Sequence, residues 1–409
     1  MGNKFNVASL FSGCGGMDLG FEGGFNIPVE SMIPERIAGL RIDEKQYVQL
    51  KKLNFDTVFA CDVNAKARMA WEIYFSKKRN IDGVYQEKSI VDIVKQIKNG
   101  DQKNLKNIHV VTGGFPCNDF SVAGKRLGFK SNKSHKGNGT LIDSKDDNAS
   151  VENRGMLYYW MREFIGLTKP HVFYAENVKG LVSLGDAKDI IAKDFSSIYG
   201  TNYFVLPVQV LKAIDYGVPQ TRERVIFIGV NLSKVKPSVK RYIEKNGALP
   251  AEIDLYPTPT HGPKGNGNNY VTCAAAFRGL EEPESSSDLA HKSFSMAKYM
   301  GKMQGQSEIS LDKPGPTIRA EHHGNIEFRR LSIENGGKLQ DEIVRGLKER
   351  RLSVRERARI QTFPDDYEFV IPKTLSASDG YRMIGNAVPP LLAYHLGYRL
   401  EEVWRDLFK

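Results

Sequence analysis

The sequence predicts an α/β fold with a doubly wound, mostly parallel sheet and a second, smaller and irregular domain. Short apolar runs rich in β-branched and aromatic residues lie in the first half of the chain. They are continuous rather than alternating, as is typical of parallel strands buried on both faces. Segments with helical periodicity separate them. After residue 230 the chain becomes rich in Gly, Pro, Ser and Asn, which predicts the irregular domain.

The elements follow from these patterns in chain order. Parallel strands are predicted at 7–11, 57–61, 109–112 and 171–175. A helix over 65–75 follows Asn64, a residue type that caps helix N-termini, and a second over 156–165 places Met156, Tyr159, Trp160 and Phe164 on one face. The runs 203–211 and 224–230 are joined by too short a loop for a helical crossover, which predicts an antiparallel last strand. Leucines spaced three and four apart predict a core helix over 391–407.

These elements predict a division of the chain into three parts. Residues 1–230 are expected to form the α/β domain and 231–350 the irregular domain, with 351–409 returning to complete the first. Two polar segments, 26–54 and 131–150, are typical of insertions, and the second is expected to be a mobile loop.

Composition restricts the functional classes. The chain has 409 residues, 41% of them hydrophobic and 26% charged, and 58 Lys+Arg against 48 Asp+Glu give a net charge of +10. This excess suits a polyanionic partner without proving one. The four cysteines form no CxxC pair, so a disulfide scaffold and a zinc module are not expected. The lack of a long apolar run or signal segment predicts a cytoplasmic protein without a membrane partner. We also expect a monomer.

A glycine-rich turn follows the first predicted strand and indicates a ligand at the carboxyl edge of the sheet. Residues 11–16 read FSGCGG, and Asp62 ends the second strand, where a carboxylate can accept hydrogen bonds from ribose hydroxyls. The alternative is an ordinary tight turn. Asp18 occupies the third glycine position of the dinucleotide pattern, which disfavours NAD and favours a nucleoside cofactor without a pyrophosphate.

Further candidates for chemistry follow later strands. Cys117 stands behind Pro116 at a strand end and is a candidate nucleophile, although most single cysteines are inert core residues. A glutamate on a buried strand is costly unless it is paired or functional, so Glu176 is a candidate acid. Arg222 and Arg224 alternate and should share one face, where guanidinium groups could grip a phosphate or a carbonyl. The alternative for these arginines is a solvated strand entrance.

Together these residues resemble the DNA (cytosine-5) methyltransferases. The resemblance covers nearly the whole chain apart from 230–350 and the two insertions, and its ordered motifs are FSGCGG (11–16), GGFPCNDFS (113–121), ENV (176–178), QTRER (220–224), RERARIQTFPDD (355–366) and GNAVPP (385–390). It implies a Rossmann-like S-adenosylmethionine-dependent methyltransferase domain, a smaller target-recognition domain at 231–350, and duplex DNA as the substrate.

The resemblance also implies roles for individual residues. S-adenosylmethionine, with no metal, would be held by Phe11, Ser12, Gly13, Cys14, Gly15, Gly16, Asp62, Val63, Ser89, Ile90, Pro116, Asn386 and Val388. The chain departs from the family in having Val63 in place of an aromatic residue, Ser89-Ile90 where an Asp commonly stands, and Asn118 in place of Gln. Catalysis would fall to Cys117, Glu176, Arg222 and Arg224, and DNA contacts to Ser121, Arg154, Arg319, His322 and His323.

In the implied mechanism the Cys117 thiolate attacks C6 of a flipped-out cytosine while Glu176 assists at N3. The stretch 311–325 has the donors and turns of a recognition loop, or else is an ordinary polar surface loop. A cognate restriction endonuclease is an expected partner. The alternatives are a tRNA cytosine-5 methyltransferase on the same scaffold and a catalytically inactive DNA-binding protein. An amino-methyltransferase is disfavoured because no (D/N/S)PP(Y/F) tetrapeptide occurs.

Overall fold

The fold is taken from a computed structural model that describes residues 4–101, 105, 107–116, 156–265, 267–301, 303–320 and 325–409. Its strands are β1 (Phe5–Leu10), β2 (Asn26–Pro28), β3 (Tyr47–Gln49), β4 (Phe55–Asp62), β5 (Tyr85–Glu87), β6 (Val110–Gly114), β7 (Val172–Val178), β8 (Tyr203–Val205), β9 (Gln209–Lys212), β10 (Glu223–Asn231), β11 (Phe328–Arg330) and β12 (Arg350–Arg351). Its helices are α1 (Gly16–Glu22), α2 (Pro34–Ile37), α3 (Ala65–Ser76), α4 (Ile90–Lys98), α5 (Leu157–Thr168), α6 (Ala187–Ser196), α7 (Pro237–Asn246), α8 (Cys273–Phe277), α9 (Leu289–Lys292), α10 (Gln340–Val344), α11 (Val354–Ile360), α12 (Ala377–Asn386) and α13 (Pro390–Leu407).

A mixed sheet with the order β5-β4-β1-β6-β7-β10-β8 forms the centre of the molecule, and β9 pairs with β10 beside β8. The strands from β5 to β7 are parallel, whereas β10 is antiparallel to β7, β8 and β9. The chain passes from β1 to β4 and β5 on one side and then to β6 on the other. This reversal between β1 and β6 opens a crevice at the carboxyl edge, where such sheets bind ligands.

Each face of the sheet carries its own core, because neighbouring strand residues point to opposite faces. Val7, Val110 and Val172 pack with the helices α1, α3 and α13, and the next residue of each strand packs with α4, α5 and α6. The last helix therefore belongs to the first core, although it follows the irregular region. No helix of the described ranges is long and apolar enough to cross a membrane.

The predicted α/β architecture with a mostly parallel sheet and an antiparallel late strand is confirmed. Asn64 caps α3 by accepting hydrogen bonds from the backbone N–H groups of Lys66 and Ala67. The predicted single strand 203–211 is instead two strands, because Pro207 between them has no N–H to donate to a sheet.

The buried face of α5 also differs from the prediction. Trp160 and Phe164 are buried as expected, but Met156 and Tyr159 are only half-buried, and a wider stripe containing Leu157, Tyr158 and Met161 is covered. The reason is that α5 packs against both α4 and α6 as well as the sheet.

The segment 26–54 forms a small hairpin of β2 and β3 that packs on the later region. The Tyr47 hydroxyl donates to the Ala276 carbonyl at 2.8 Å, and His261 Nε2 lies 2.8 Å from the carbonyl oxygen of Glu30. The segment therefore ties the first part of the chain to residues beyond 230. The segment 131–150 lies outside the described residues, and the boundaries at 230 and 350 stay a prediction.

Candidate active site

The described residues with predicted cofactor-binding or catalytic functions lie at one edge of the sheet. The parallel strands β1, β4 and β6 end there, and β10 begins there because it runs the opposite way. The glycine turn, Asp62 and Pro116 therefore lie near Glu176 of β7 and Arg224 of β10, which form an ion pair at this edge. Residues far apart in the chain are brought together by the topology alone.

A cavity of about 380 Å³ lies at this edge, within the size range of small-molecule sites. The predicted cofactor residues that line it are Phe11, Ser12, Gly13, Cys14, Gly16, Asp62, Val63, Ser89, Ile90, Pro116, Asn386 and Val388, and the predicted catalytic residues are Glu176, Arg222 and Arg224. Gly15 does not line the cavity. A Cβ on Gly15 would lie 2.5 Å from the Trp71 ring, so this glycine permits close packing behind the turn.

The glycine turn and Asp62 form one hydrogen-bonded unit. Phe11, Gly13 and Gly15 have φ values of 53°, 54° and 78°, in the left-handed region that favours glycine. The Gly13 N–H donates to Oδ2 of Asp62 at 3.0 Å, and the Asn64 N–H donates to Oδ1 at 2.9 Å. Desolvation by the surrounding protein raises the pKa of Asp62 above its ordinary value. Each carboxylate oxygen keeps a lone pair that can accept a further hydrogen bond from a ligand hydroxyl.

A second acid, Asp18, supports the turn from below and was missed as a site residue by the sequence reasoning. Its Oδ2 accepts hydrogen bonds from the Ser12 hydroxyl at 2.5 Å and from the Trp71 indole at 2.6 Å. Burial raises the pKa of Asp18 above its usual range. The signal in the sequence is an acidic residue two positions after the glycine cluster, in the first turn of the helix α1.

Glu176 and Arg224 form a nearly buried ion pair, with Arg224 Nε 2.6 Å from Glu176 Oε1 and both side chains 11% exposed. A Cβ on Gly114 would lie 2.9 Å from the other carboxylate oxygen, so the absence of a side chain there gives Glu176 its place beside β6. Arg224 Nε thus holds one carboxylate oxygen, while the other faces Gly114 of the strand that leads to Pro116.

Asn177, the middle residue of the ENV motif, holds the loop that follows β6. Its side-chain amide donates to the Phe115 carbonyl at 2.9 Å, and the residue is buried. The next residues are Pro116 and Cys117. A buried amide in this motif was a signal that the sequence reasoning left unused.

Arg222 lines the cavity, but its guanidinium is bonded to backbone carbonyls of the protein. Its guanidinium donates from Nη1 to the Ile318 carbonyl at 2.7 Å and from Nη2 to the carbonyls of Gly385 and Ala387 at 3.0 and 2.9 Å. The side chain is almost fully buried. This geometry favours a positioning role over the predicted contact with substrate.

Several predicted site residues fall outside the described residues. These are Cys117, Ser121, Arg154, His322 and His323, whose roles stay predictions. Arg319 is described, and its side chain is exposed while its backbone carbonyl accepts a hydrogen bond from Arg357. Lining residues that the sequence reasoning missed include Met17, Lys88, Leu157, Met383 and Ala387. Their side-chain types give no signal without the fold.

The cavity has the features of a nucleoside-type cofactor site. It combines a carboxylate at a strand end, an aromatic ring at Phe11 and apolar walls that include Cys14 and Cys61. A Cβ built on Gly13 would meet no atom within 4 Å, so the turn leaves open space for a ligand. Among the described residues, no group of three or more His, Cys, Asp and Glu could hold a metal ion.

Solved structures with this architecture were compared with the chain. A variant of Spodoptera frugiperda DNMT2 matches with a TM-score of 0.55 and 16% identity, covering 97% of this chain and 99% of that one. The Dnmt2 methyltransferase of S. pombe matches with a TM-score of 0.53 and 14% identity over 98% and 99% of the two chains. At such identities the likeness is one of fold.

Similarity in sequence identifies the family of the chain. The Type II methyltransferase M.BsuRI of Bacillus subtilis is 32% identical over 96% of this chain and 78% of its own length. M.BspRI of Lysinibacillus sphaericus is 29% identical over 100% and 84%. The family model for the C-5 cytosine-specific DNA methylases matches residues 5–142 and 144–402. The chain therefore belongs to the C-5 cytosine-specific DNA methylases and is a DNA (cytosine-5) methyltransferase.

Proposed function

We propose that the enzyme transfers the methyl group of S-adenosylmethionine to C5 of a cytosine flipped out of duplex DNA, through a covalent bond between Cys117 and C6. The observation that supports this proposal is a cavity at the carboxyl edge of the sheet. Among the described residues, Asp62 with its glycine turn and the Glu176–Arg224 pair line this same cavity, beside the strand end that leads to Cys117.

The residues that would hold the cofactor fit its parts. Asp62 would accept the ribose hydroxyls, and Phe11 would stack on the adenine ring. Asn386 and Val388 would close the cavity from the C-terminal segment. When bound, the sulfonium of S-adenosylmethionine supplies an electrophilic methyl group.

The chain's own residues make the base reactive. Cytosine C5 is a weak nucleophile, so addition of the Cys117 thiolate to C6 is needed to make C5 enamine-like. Glu176 would donate a proton or a hydrogen bond to N3 as this bond forms, and Arg224 would keep the carboxylate aligned. C5 gains the methyl group and then loses its proton, and expulsion of the Cys117 thiolate restores the aromatic ring. The thiolate addition at C6 and the methyl transfer to C5 both need the base outside the DNA double helix, because neither carbon is accessible within a duplex.

The biological role we infer is protection of host DNA in a restriction–modification system with a cognate endonuclease. Its support is the similarity to curated Type II methyltransferases over nearly the whole chain. The recognition of the DNA sequence would fall to residues 231–350, including Arg319.

A methyl-transfer assay tests the catalytic proposal. Purified protein is given S-adenosylmethionine with a tritiated methyl group, and unmethylated genomic DNA or tRNA is the acceptor. We expect label in DNA and none in tRNA. Glu176→Gln should lower the turnover number by about a hundredfold or more, the usual size of a general acid–base contribution, because the amide cannot donate the proton.

The matched control is Glu223→Gln, one residue from Arg224 and ion-paired with the exposed Lys179. It should retain wild-type turnover. Label in tRNA alone would replace the proposal with the tRNA alternative, and full activity of Glu176→Gln would remove the carboxyl group from the chemistry.

A further inference from the structure

We propose that Arg222 is a positioning residue that couples the binding of DNA to the binding of the cofactor. It joins two segments, which we call the recognition segment (residues 311–320) and the cofactor wall (residues 383–388). The inference rests on the proposed function, because it takes the recognition segment to contact DNA. It assigns Arg222 to a link between two ligand sites rather than to the reacting base.

The contacts of Arg222 point in two directions at once. One guanidinium nitrogen donates to Ile318 of the recognition segment, and the other donates to Gly385 and Ala387 of the cofactor wall. A guanidinium is planar and rigid, so hydrogen bonds on its two arms fix the separation of the groups they bind. Burial of the charge makes these carbonyl contacts costly to lose.

A pair of glutamines repeats the same connection. The Gln220 amide oxygen accepts a hydrogen bond from the Ile318 N–H at 3.1 Å, and its amide nitrogen donates to the side chain of Gln361. Gln361 in turn donates to the carbonyls of Ile384 and Ala387 at 3.0 and 2.6 Å. Both glutamines are fully buried. The recognition segment and the cofactor wall are thus linked by two parallel sets of hydrogen bonds.

The recognition segment and the cofactor wall are in direct van der Waals contact. A Cβ on Gly385 would lie 2.1 Å from the carbonyl group of Arg319, so the backbone of the recognition segment rests directly on the wall. On the opposite side, a Cβ on Gly16 of the cofactor turn would lie 2.2 Å from the Val388 carbonyl. The wall is therefore confined between the cofactor turn and the recognition segment.

This arrangement has a thermodynamic consequence. A ligand that orders one segment also orders the other, so the second ligand pays less of the ordering cost. The coupling must be reciprocal: DNA should tighten cofactor binding by the same factor by which the cofactor tightens DNA binding.

Isothermal titration calorimetry tests the coupling. The dissociation constant of S-adenosylhomocysteine is measured for the wild type with and without a saturating duplex oligonucleotide that carries the site the enzyme methylates. We expect DNA to lower this constant by about fivefold or more, the smaller end of typical couplings. In Arg222→Met the ratio should fall by about twofold or more, because only the Gln220–Gln361 set of hydrogen bonds then joins the two segments. Because Arg222 also holds the cofactor wall, the readout is the ratio of the two constants, which cancels any change in the binding of S-adenosylhomocysteine alone.

The control is Arg405→Lys, an exposed arginine in the last turn of α13, which should keep the wild-type ratio. Arg222→Lys is measured in parallel, and covers the case in which the Met variant does not fold. It keeps the charge but not the fork, and should give a reduced ratio. A wild-type ratio of one, or an undiminished ratio in a folded Arg222 variant, would overturn the inference. A wild-type protein that neither methylates nor binds DNA would instead refute the proposed function.

Discussion

At the scale of single residues, the cavity shows how position decides the chemistry of a side chain. Cys14 and Cys61 both line it, yet burial raises the pKa of each thiol above its ordinary value. Burial raises the pKa of Cys273 to about 12 in the irregular region. Thiols of this kind stay protonated near neutral pH and are poor nucleophiles. These environments leave Cys14, Cys61 and Cys273 unsuited to the nucleophilic role proposed for Cys117.

This contrast predicts the pattern of thiol modification. Incubation of the folded enzyme with iodoacetamide at pH 8 should leave Cys14, Cys61 and Cys273 unmodified, because they are buried and protonated. Peptide mass spectrometry after a short exposure measures each cysteine separately. Unfolding in urea before the reaction serves as the control and should make all three reactive. Rapid alkylation of Cys14 or Cys61 in the folded protein would contradict their buried placement.

Among the secondary-structure elements, the first helix packs closely on the last one. Gly20 of α1 lies against α13, and a Cβ there would be 2.4 Å from Ala393 Cβ and 2.5 Å from the Pro390 carbonyl oxygen. Gly397 of α13 faces the same interface with more room, since its Cβ would lie 3.2 Å or more from Leu53 and Phe21. Gly20 is therefore needed for the close approach of the two helices, whereas the position of Gly397 has room for a methyl group.

We expect Gly20→Ala to lower the free energy of unfolding by about 1–3 kcal/mol, since the methyl group would push the helices apart. Gly397→Ala should leave the free energy of unfolding nearly unchanged. The small cost of its contacts at 3.2 Å or more is offset by the better helix propensity of alanine, about 1 kcal/mol. Urea unfolding of both variants and the wild type gives the comparison. Equal effects of the two substitutions would show that the contact at Gly20 is not the tight one.

The elements also show what a sequence can and cannot predict. Strand runs and the Asn64 cap are local, so they could be predicted from a few adjacent residues. The ion pair of Glu176 with Arg224 depends on β10 running antiparallel to β7, and only the residue types could be foreseen. The partners of Arg222 lie about a hundred or more residues away in sequence, at Ile318, Gly385 and Ala387, so no local pattern could reveal them.

Across the molecule, a network of buried and half-buried ion pairs in the irregular region reaches the C-terminal segment through Glu356. Glu356 of α11 binds Arg350 through both carboxylate oxygens, at 2.8 and 2.9 Å. Glu282 pairs with Arg330 and Arg350, and Glu342 pairs with Arg330. Burial alone would raise the pKa of each acid, but the arginines hold all three pKa values below their usual range.

This network predicts a loss of stability in acid. The pKa values are lower in the folded chain than in the unfolded chain, where a glutamate titrates at about 4.3. The unfolded chain therefore binds more protons as the pH falls below about 5, and the stabilisation present at neutral pH is lost. Glu356→Gln should melt at a lower temperature than the wild type at pH 7, and this difference should shrink as the pH falls to 4. A difference that stays constant over this range would contradict the prediction.

We propose Cys117 as the nucleophile with which this chain methylates C5 of cytosine in DNA. Bisulfite sequencing of DNA from cells that express the protein tests this chemistry, because 5-methylcytosine resists conversion. The wild type should protect one cytosine within a fixed short sequence throughout the DNA, and cells expressing Cys117→Ser should show no protection. Conversion of every cytosine in the presence of folded wild-type protein would rule out C5 methylation, and full protection by Cys117→Ser would rule out Cys117 as the nucleophile.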